Sequence, residues 1–354
     1  ADFVDHPTAD LAIATILHQS RRYIVYCYAL TPDDGSEYRA RLREELGDRL
    51  RERSARDTDK QWADAIRNDG VQVLIHLNGH TEGARLGICA RRPAPIQVLA
   101  LGYPGTSGAS YFDYNVTDPI VAQHTIGTER CLQMPDAYQM NSHRLLYPRL
   151  RPTARALLGL PEDSIIFCNF GRLGRVEPEL VRVWTGILRA VPTSVLCLLE
   201  RPAIAGIRLQ DQFRRAGIAT GRIRFLPPVH PKREHLARMA AADVFLDTLT
   251  YNGHTTVSDA LWSGLPVVTC PGTEWPSRVA ASLLTVAGLT DLVAKNLDEY
   301  QQLAISLAHN PAQLRKMRHR VREGRARSPL FDHSGWASHF SDGLDTIWQH
   351  HASR

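Results

Sequence analysis

The sequence has no uninterrupted run of about 20 apolar residues, the length that a membrane-spanning helix needs. Its first residues, Ala-Asp-Phe-Val-Asp-His-Pro-Thr, lack the basic-then-apolar pattern of a secretory signal. No C-x-x-C pair occurs among the six cysteines, and no internal repeat or low-complexity tract is found. We therefore expect a cytoplasmic protein with buried, reduced thiols and no membrane partner.

The sequence also has little excess charge. Its 42 Lys and Arg residues against 37 Asp and Glu residues give a net charge of +5. This charge suits anionic ligands such as nucleotides, but it falls short of the basic stripe of a nucleic-acid-binding protein. The densest basic run, Arg315–Arg327, has Leu314, Met317 and Val321 at helical spacing and no interleaved aromatic residue. That pattern favours a solvated helix face, so we expect no nucleic-acid partner.

Short apolar runs alternate with amphipathic stretches along most of the chain, which is typical of βαβ units with parallel sheets. The predicted strands are Tyr23–Ala29, Val71–Leu77, Ile96–Leu101, Tyr111–Thr117, Ile165–Phe170, Ser194–Leu199, Val244–Asp247 and Val267–Cys270. A proline-rich stretch between Tyr147 and Pro161 interrupts the alternation. We predict two Rossmann-like domains facing across a cleft, residues 1–150 and 151–330, with a C-terminal helix in 331–354 that packs back on the core.

The segment from Asp247 to Pro266 carries the strongest chemical signal. A strand ends at Asp247, a glycine-containing loop follows, and a helical pattern begins near Thr255. The free N–H groups and the hydroxyls of Thr255 and Thr256 suit a diphosphate at a helix N-terminus. Asp259 lies one turn further on the same face, where it is able to accept hydrogen bonds from ribose hydroxyls. The residues alone fit an ordinary well-capped helix equally well.

A second segment, from Phe225 to Arg238, places basic and imidazole side chains on a proline-rich turn that leads into a helix. Lys232, His235 and Arg238 follow at three-residue steps and therefore share one side of that helix. Together with His230 they form a group able to stack on a nucleotide base and to hydrogen-bond it. A zinc site is disfavoured, because two cations stand in the group and no acidic or thiol ligand accompanies the histidines.

Several blocks resemble the catalytic region of the protein O-GlcNAc transferase family, in the family's order. They are Asp2-Phe-x-x-His6-Pro-Thr8, Asn78-Gly-x-Thr-x-Gly-Ala-Arg85, Arg92-Pro-Ala-Pro-Ile-Gln97, Leu101-Gly-Tyr-Pro-Gly-Thr-Ser-Gly108, Asn252-Gly-His-Thr-Thr-x-x-Asp-x-Leu-Trp-x-Gly-x-Pro266 and Ser277-Arg-Val-Ala-Ala-Ser282. The resemblance implies a GT-B fold. It also implies metal-independent, inverting transfer of N-acetylglucosamine from UDP-N-acetylglucosamine to serine or threonine hydroxyls of acceptor proteins, with no cofactor.

The resemblance also implies roles for residues at matched positions. The residues expected around the diphosphate, sugar, ribose and uracil are His254, Thr255, Thr256, Asp259, His230 (through its backbone), Lys232, His235 and Arg238. Those expected near the sugar in the cleft are Leu101, Gly102 and Tyr251. His6 and Asp2 occupy the positions of the family's proposed proton-handling residues.

Three features depart from the family pattern. Arg172 and Arg175 stand where the family has a glutamine and a lysine, the lysine neutralising the leaving diphosphate. An arginine keeps the positive charge and adds a bidentate fork. Tyr251 replaces a small residue near the sugar's acyl group. The family's preceding strand, an upstream histidine and the tetratricopeptide repeats have no counterpart in this sequence.

Two other functions remain open at this point. Within the enzymes, a SPINDLY-type fucosyltransferase that uses a GDP sugar is the nearest alternative, followed by a protein glucosyltransferase. From a different class, the chain fits a nucleotide-binding interaction module without turnover.

Overall fold

The structure is a computed structural model that describes residues 3–52, 56–123, 127–200 and 202–353. The chain divides into two compact units. The first unit combines Ala1–Leu146 with Pro329–Arg354, and the second unit is Tyr147–Ser328. The second unit is therefore inserted into the sequence of the first.

Eleven strands are found in the described residues. They are β1 (Cys27–Ala29), β2 (Leu50–Glu52), β3 (Val73–His76), β4 (Ile96–Leu99), β5 (Tyr114–Thr117), β6 (Arg130–Gln133), β7 (Ile166–Asn169), β8 (Val195–Leu199), β9 (Ile223–Leu226), β10 (Val244–Leu246) and β11 (Val267–Val268). Every pairing between them is parallel. Parallel strands need crossover connections, which the helices supply.

Thirteen α-helices are found in the same residues. They are α1 (Pro7–Gln19), α2 (Glu37–Leu46), α3 (Asp59–Asn68), α4 (Leu86–Cys89), α5 (His143–Leu146), α6 (Pro178–Ala190), α7 (Ala203–Arg215), α8 (Lys232–Met239), α9 (Thr255–Trp262), α10 (Val279–Val286), α11 (Leu297–His309), α12 (Pro311–Arg327) and α13 (His333–Ala352). Several begin with side-chain caps that the sequence supplies. Thr58 and Gln61 form a reciprocal capping box at α3, for example.

The second unit has one five-stranded sheet in the order β11-β10-β7-β8-β9. Counted along the unit, its first strand is central, the second and third lie on one side, and the fourth and fifth lie on the other. This is the order of a doubly wound Rossmann-like sheet, and the order reverses between β7 and β10. The central strand β7 is buried along its whole length, as a strand covered by helices on both faces should be.

The first unit has two separate sheets among its described residues. β1 pairs with β2, and a four-stranded sheet follows the order β3-β4-β5-β6. α13 returns to this unit and packs against α1. The contact includes a hydrogen bond of 2.8 Å from Gln19 Nε2 to the carbonyl of Ala337, buried beside Ser341.

The α/β class with parallel sheets and a helical C-terminus is confirmed. The predicted strands fall on observed ones, usually one to four residues too long; Tyr23–Ala29 contracts to Cys27–Ala29, for example. The sequence analysis missed the three strands Leu50–Glu52, Arg130–Gln133 and Ile223–Leu226. The last of these is an edge strand of the second unit's sheet.

The burial of the cysteines and of the basic helix α12 differs in part from the prediction. Cys27, Cys89, Cys168 and Cys197 are buried and unpaired, but Cys131 is exposed on the edge strand β6. In α12 the predicted apolar residues are buried, yet Arg318 is partly buried too and donates to the carbonyl of Ala240 over 3.0 Å. Within the described ranges, every helix is either too short or too polar to cross a membrane.

Candidate active site

The second unit's sheet reverses its strand order between β7 and β10, and polar residues gather where these strands end. Asn169, the last residue of β7, donates from Nδ2 to the carbonyl of Leu246 over 2.7 Å. Its Oδ1 accepts a hydrogen bond of 2.8 Å from the N–H of Gly171. Asn169 therefore joins the ends of both strands and fixes the start of the loop that carries Arg172 and Arg175. Ligands of open α/β sheets bind at such a point.

Asp247, directly after β10, anchors the loop that leads to α9. Its Oδ1 accepts from the N–H of Gly253 over 2.7 Å, and its Oδ2 accepts from the hydroxyl of Thr269 over 2.7 Å. The side chain is fully buried. Burial raises the pKa of the Asp247 carboxyl to about 7, although the two hydrogen bonds oppose the shift.

Asn252 folds the rest of this loop around its own buried side chain. Its Nδ2 donates to the carbonyl of Thr248 over 2.6 Å, and its Oδ1 accepts from the N–H of Ala280 over 3.3 Å. Its own N–H donates to the carbonyl of Pro276. The loop is thus tied at both ends, and the N-terminus of α9 is held at the carboxyl edge of the sheet.

The N-terminus of α9 offers donors that no protein group in the described residues takes up. The N–H groups of Thr255 and Thr256 have no acceptor there. The hydroxyl of Thr256 is buried and likewise has no partner. Gly253 lies against it, and a Cβ at that position would come within 2.5 Å of the Thr256 Oγ1. Free N–H groups and the positive end of the helix dipole suit an anion.

Arg175, Tyr251 and His254 form a three-layer stack beside this N-terminus. The guanidinium of Arg175 lies 3.9 Å from the centre of the Tyr251 ring, and that ring stacks on the His254 imidazole with centroids 4.7 Å apart. Arg175 also donates to the carbonyl of Asn252 over 3.1 Å. The cation is therefore held in place by a ring face and a carbonyl, both on the loop that leads to α9.

Burial determines the protonation state of His254 in this stack. Burial, with Arg175 close by, lowers the pKa of His254 to about 3, so this imidazole is neutral. Its Nε2 lies 3.3 Å from the carbonyl of Pro276 and donates to it, which leaves Nδ1 as an acceptor. Arg172 is exposed on the neighbouring turn. The site therefore has two cations, Arg172 and Arg175, at the ends of β7 and β10.

The predicted base-binding residues lie on α8 and the turn before it. Lys232 Nζ and Asp259 Oδ2 are 2.6 Å apart, so an ion pair links the start of α8 to α9. Asp259 is only 1% exposed, and its carboxylate is engaged with this cation. His230 is exposed on the turn before α8.

His235 and Arg238 form a separate pair one turn further along α8. Arg238 donates to Nδ1 of His235 over 3.0 Å and to the carbonyl of Pro227. Both side chains contact the ring of Phe170, Arg238 from 4.9 Å and His235 edge-on with centroids 5.7 Å apart. Burial lowers the pKa of His235 to about 3, so the ring is neutral and Nε2–H is its donor.

The remaining predicted site residues belong to the first unit. Leu101 has a positive φ of 67°, and the N–H of Gly102 donates to the carbonyls of Leu77 and Ala100. A Cβ on Gly102 would come within 2.3 Å of the Leu77 oxygen, so only glycine fits there. Whether Leu101 and Gly102 contact the donor sugar remains a prediction.

His6 caps the N-terminus of α1, and its Nδ1 accepts from the N–H of Thr8 over 3.2 Å. A neutral His6 in this position carries its proton on Nε2. Asp2, the other predicted proton-handling residue, lies outside the described residues. The proton-handling roles of both residues remain predictions.

The sequence analysis missed Asp247, Asn169, Asn252 and Phe170 as residues that build the site. Asp247 and Asn252 were noticed only as parts of a loop. The available signal was position, since Asn169 closes a buried strand and Asp247 directly follows one. The partners of Asp247 and Asn252, Thr269 and Ala280, lie more than 20 residues away in sequence, so local patterns do not reveal the hydrogen bonds.

A doubly wound sheet with an anion-ready helix N-terminus and two cations at its switch point has the architecture of a nucleotide-binding site. Comparison with known proteins agrees. The chain matches the family described as glycosyl transferase family 41 over residues 1–154 and 149–340, and it belongs to that family.

Relatives with solved structures or curated descriptions support this assignment. The chain is 38% identical over its whole length to a probable UDP-N-acetylglucosamine–peptide N-acetylglucosaminyltransferase SEC of Arabidopsis thaliana, and covers 37% of that protein. It is 31% identical to a SPINDLY protein of the same plant, covering 98% of this chain and 38% of the relative. A solved O-GlcNAc transferase mutant of Thermobaculum terrenum superposes with a TM-score of 0.89 at 31% identity, covering 98% of this chain and 66% of the other.

More distant structures share the fold alone. Anabaena HepE, solved with UDP and glucose, has a TM-score of 0.63 at 13% identity, with 96% of each chain covered. These likenesses confirm the GT-B assignment. The chain spans less than half the length of the curated relatives named above.

Proposed function

We propose that this chain transfers N-acetylglucosamine from UDP-N-acetylglucosamine to serine or threonine hydroxyls of acceptor proteins, with inversion and without a metal ion. The observation that carries the proposal is the N-terminus of α9, with its unused N–H groups and the buried, unpartnered hydroxyl of Thr256. The names of the relatives support the donor and the peptide acceptor. The unpaired cysteines support a reducing compartment, the cytoplasm.

In this proposal the N-terminus of α9 binds the diphosphate of UDP. The N–H groups of Thr255 and Thr256 and the Thr256 hydroxyl donate to its oxygens, while Arg175 and Arg172 neutralise the charge that develops as UDP leaves. Arg175 is already oriented by Tyr251 and by the Asn252 carbonyl, so it needs little reorganisation during the reaction. These groups take the place of a divalent cation.

The α8 side of the site receives the nucleoside. Asp259 accepts from ribose hydroxyls while Lys232 holds its carboxylate, and the Nε2–H of His235 and the backbone of His230 face the uracil. Arg238 acts through His235 and Phe170, because its two terminal nitrogens donate to the carbonyl of Pro227 and to His235. We therefore assign Arg238 a positioning role rather than a direct contact.

The sugar and the attacking hydroxyl need acceptors and a path for one proton. His254 is neutral and has a free Nδ1 lone pair, which suits a sugar hydroxyl better than a phosphoryl oxygen. The acceptor hydroxyl attacks the anomeric carbon in line, the bond to the UDP oxygen breaks, and the hydroxyl proton passes to an oxygen of the departing diphosphate. Nδ1 of His6 accepts from the N–H of Thr8, so Nε2 is the His6 nitrogen left to face the reacting groups and to take the predicted proton-handling role.

The proposal is tested by replacing Thr256 with valine, which keeps the shape and removes the hydroxyl. Loss of a hydrogen bond to a charged group costs about 1.5–3 kcal/mol, so the Kd for UDP should rise roughly 10- to 150-fold. Calorimetric titration measures this change. The matched control is Thr185→Val, since Thr185 has a buried, unpartnered hydroxyl on α6, away from the site. Equal UDP affinity in Thr256→Val and wild type would contradict the proposal.

Donor choice and metal independence are tested in one activity assay. Release of UDP or GDP is followed with UDP-N-acetylglucosamine, UDP-glucose and GDP-fucose, each with and without an acceptor peptide, and with EDTA. We expect turnover with UDP-N-acetylglucosamine that EDTA does not change. A preference for GDP-fucose would replace the donor assignment, and binding without release would favour the non-catalytic module.

A further inference from the structure

A strained turn follows β4 in the first unit. Leu101 has a φ of 67°, although it is only 8% exposed. Left-handed backbone is unfavourable for a leucine, so it persists only where the surrounding structure fixes it, and such positions concentrate at functional sites. The next residue, Gly102, lies so close to the main chain of Leu77 and Asn78 that a Cβ does not fit. The groups that fix the turn at Leu101 and Gly102 therefore bear on function.

The turn opens a loop, residues 101–108, that one carboxylate holds from the other end. Glu129, directly before β6, accepts from the N–H of Ser107 over 2.7 Å and from the hydroxyl of Thr106 over 2.6 Å. It also accepts from the hydroxyl of Ser107. Burial raises the pKa of Glu129, but the hydrogen bonds outweigh burial and hold the pKa below its usual value. Glu129 is therefore ionised, and the loop uses both of its oxygens.

Two more side chains hydrogen-bond the main chain of the same part of the loop. Asn115 of β5 donates from Nδ2 to the carbonyl of Gly105 over 2.8 Å. His80, in the loop that follows β3, donates from Nε2 to the carbonyl of Ser107 over 2.8 Å. Residues 105–107 are thus tied to three other segments of the first unit, and Glu129 supplies most of the hydrogen bonds.

Tyr103 and Pro104 connect residues 105–107 to the turn. The Tyr103 side chain packs against the main chain at Gly79, where a Cβ would come within 2.7 Å of the Tyr103 Cβ. The Tyr103 ring meets the His80 ring edge-on, with centroids 5.3 Å apart. Pro104 is buried, and its ring fixes its own φ. Because these two residues have so little freedom, a shift of residues 105–107 is transmitted to the turn.

The main chain of the turn has two donors that the described residues do not use. The N–H of Gly102 donates to the carbonyl of Leu77 over 3.0 Å. In the described part of the chain, the N–H groups of Leu101 and Tyr103, on either side, have no acceptor. Donors fixed in this way suit the oxygen atoms of a sugar. In the proposed function, Leu101 and Gly102 are the residues expected near the donor sugar.

We propose that Glu129 is a positioning residue for the transfer reaction. It does not touch the substrate, but it holds the 101–108 loop so that the main chain of the turn meets the donor sugar in the reactive geometry. This inference rests on the proposed function. Among the described residues, the side chain of Glu129 accepts hydrogen bonds from Thr106 and Ser107 alone. Its loss should therefore disturb the loop and leave the core of the unit in place.

The first test replaces Glu129 and measures kcat with UDP-N-acetylglucosamine and an acceptor peptide. Glu129→Ala should lower kcat about 10- to 100-fold, because a reacting group misplaced by a fraction of an ångström to one ångström costs this much. Glu129→Gln keeps an accepting oxygen for Ser107 and should retain more of kcat than alanine does. The Kd for UDP should stay that of the wild type in both variants, since the residues proposed to bind UDP belong to the second unit.

The matched control is Asp69→Ala, in the same unit. The Asp69 carboxylate also has three donors, since it accepts from the hydroxyl of Tyr28 over 2.8 Å and twice from Arg51. None of these hydrogen bonds reaches the 101–108 loop. Asp69→Ala should lower the melting temperature at least as much as Glu129→Ala does, yet keep the kcat of the wild type. If Glu129→Ala does not fold, Glu129→Gln and Asp69→Asn replace the two alanine variants.

A second test shows whether Glu129 acts through the loop. Thr106→Val together with Ser107→Ala removes the two hydroxyl donors and should itself lower kcat. Adding Glu129→Ala to this pair should then lower kcat by a smaller factor than Glu129→Ala does in the wild type, because groups that act through one another are not additive. Equal factors in the two backgrounds would mean that Glu129 does not act through Thr106 and Ser107, and would overturn the proposal.

The outcomes separate this inference from the proposed function. If the wild type turns over UDP-N-acetylglucosamine and Glu129→Ala has the same kcat, or if Asp69→Ala loses as much kcat as Glu129→Ala, the positioning role is wrong and the proposed function stands. If the wild type binds UDP but turns over no nucleotide sugar, the proposed function is wrong, and the positioning role is wrong with it.

Discussion

Individual side chains of the second unit are oriented by one another before any ligand binds. The Tyr251 ring lies between the Arg175 guanidinium and the neutral His254 imidazole, at 3.9 Å and 4.7 Å. Resemblance to the family predicted only that Tyr251 stands near the sugar. Its contacts suggest that it sets the position of Arg175, which replaces a more flexible lysine of the family.

Two substitutions of Tyr251 distinguish the contribution of its aromatic ring from that of its hydroxyl. Tyr251→Leu should lower kcat about 2- to 30-fold, because a cation–π contact contributes about 0.5–2 kcal/mol. Tyr251→Phe keeps the ring and should retain nearly all of kcat. Steady-state assays with UDP-N-acetylglucosamine measure both. If phenylalanine and leucine lowered kcat equally, the ring face would not be what holds Arg175.

Asp247 makes the stability of the second unit depend on pH. Its pKa is about 7 in the folded protein, above its ordinary value of 3.8, because burial disfavours the charged form. Between these values the folded state binds more protons than the unfolded state, so the free energy of unfolding falls as pH rises. The stabilisation is complete below pH 3.8 and is lost as pH passes about 7.

Asp247→Asn removes this titration and keeps the shape of the side chain. The free energy of unfolding of the variant should therefore rise relative to that of the wild type from pH 4 towards pH 7. This is the pH window between the unfolded-state and folded-state pKa values of Asp247. Urea unfolding at several pH values gives the difference. A difference that stays constant with pH would mean that Asp247 titrates normally.

In the second unit, the loops of the candidate site lie at the carboxyl edge of the sheet, and a cluster of ion pairs lies at its amino edge. The carboxyl edge carries the loops with Arg175 and Tyr251, whereas the amino edge carries Asp243, directly before β10. Asp243 accepts from Arg155 over 2.7 Å and from Arg318 of α12 over 3.1 Å. It also accepts from the N–H of Ile166, the first residue of β7.

Asp243→Ala should therefore affect stability and leave nucleotide binding intact. Removing the shared partner of two partly buried arginines should lower the free energy of unfolding by about 3–5 kcal/mol. The Kd for UDP of the folded protein should not change, since Asp243 lies at the opposite edge from the loops. Denaturant unfolding and calorimetry at low temperature measure the two quantities. A large loss of UDP affinity in a fully folded variant would contradict this division.

The strands best predicted from the sequence are those buried on both faces. Val195–Leu199 lies inside a continuous apolar run, and such a run is readable without tertiary information. Arg130–Gln133 has one buried residue in four, so no apolar period marks it. A sequence motif predicts Thr256 and Asp259 as site residues. The stack of Arg175 on Tyr251, in contrast, joins residues from different loops. Only folding brings such residues together.

At the scale of the whole molecule, the chain leaves the first unit at Leu146 and returns to it at Pro329. α13 then packs on α1 and donates from Trp336 Nε1 to the carbonyl of Ala137 over 2.8 Å. The first unit is therefore completed by residues from the end of the sequence.

Deleting residues 329–354 should lower the stability of the first unit and leave that of the second unit unchanged. The first unit loses the cover that α13 gives to α1 and should unfold at a lower temperature, whereas the second unit keeps its whole sheet. UDP affinity should persist, because the residues proposed to bind UDP lie in the second unit. Calorimetric scanning together with UDP titration tests this. Joint loss of both transitions would mean that the second unit does not fold without the first.

The insertion also has a consequence for synthesis on the ribosome. The second unit is one continuous stretch, so it is able to fold as soon as Ser328 has left the exit tunnel. Residues 3–146 emerge earlier but must wait for their final helix, with their apolar surface open to solvent and to chaperones. Of the two units, the one whose synthesis begins first is thus the one that is completed last.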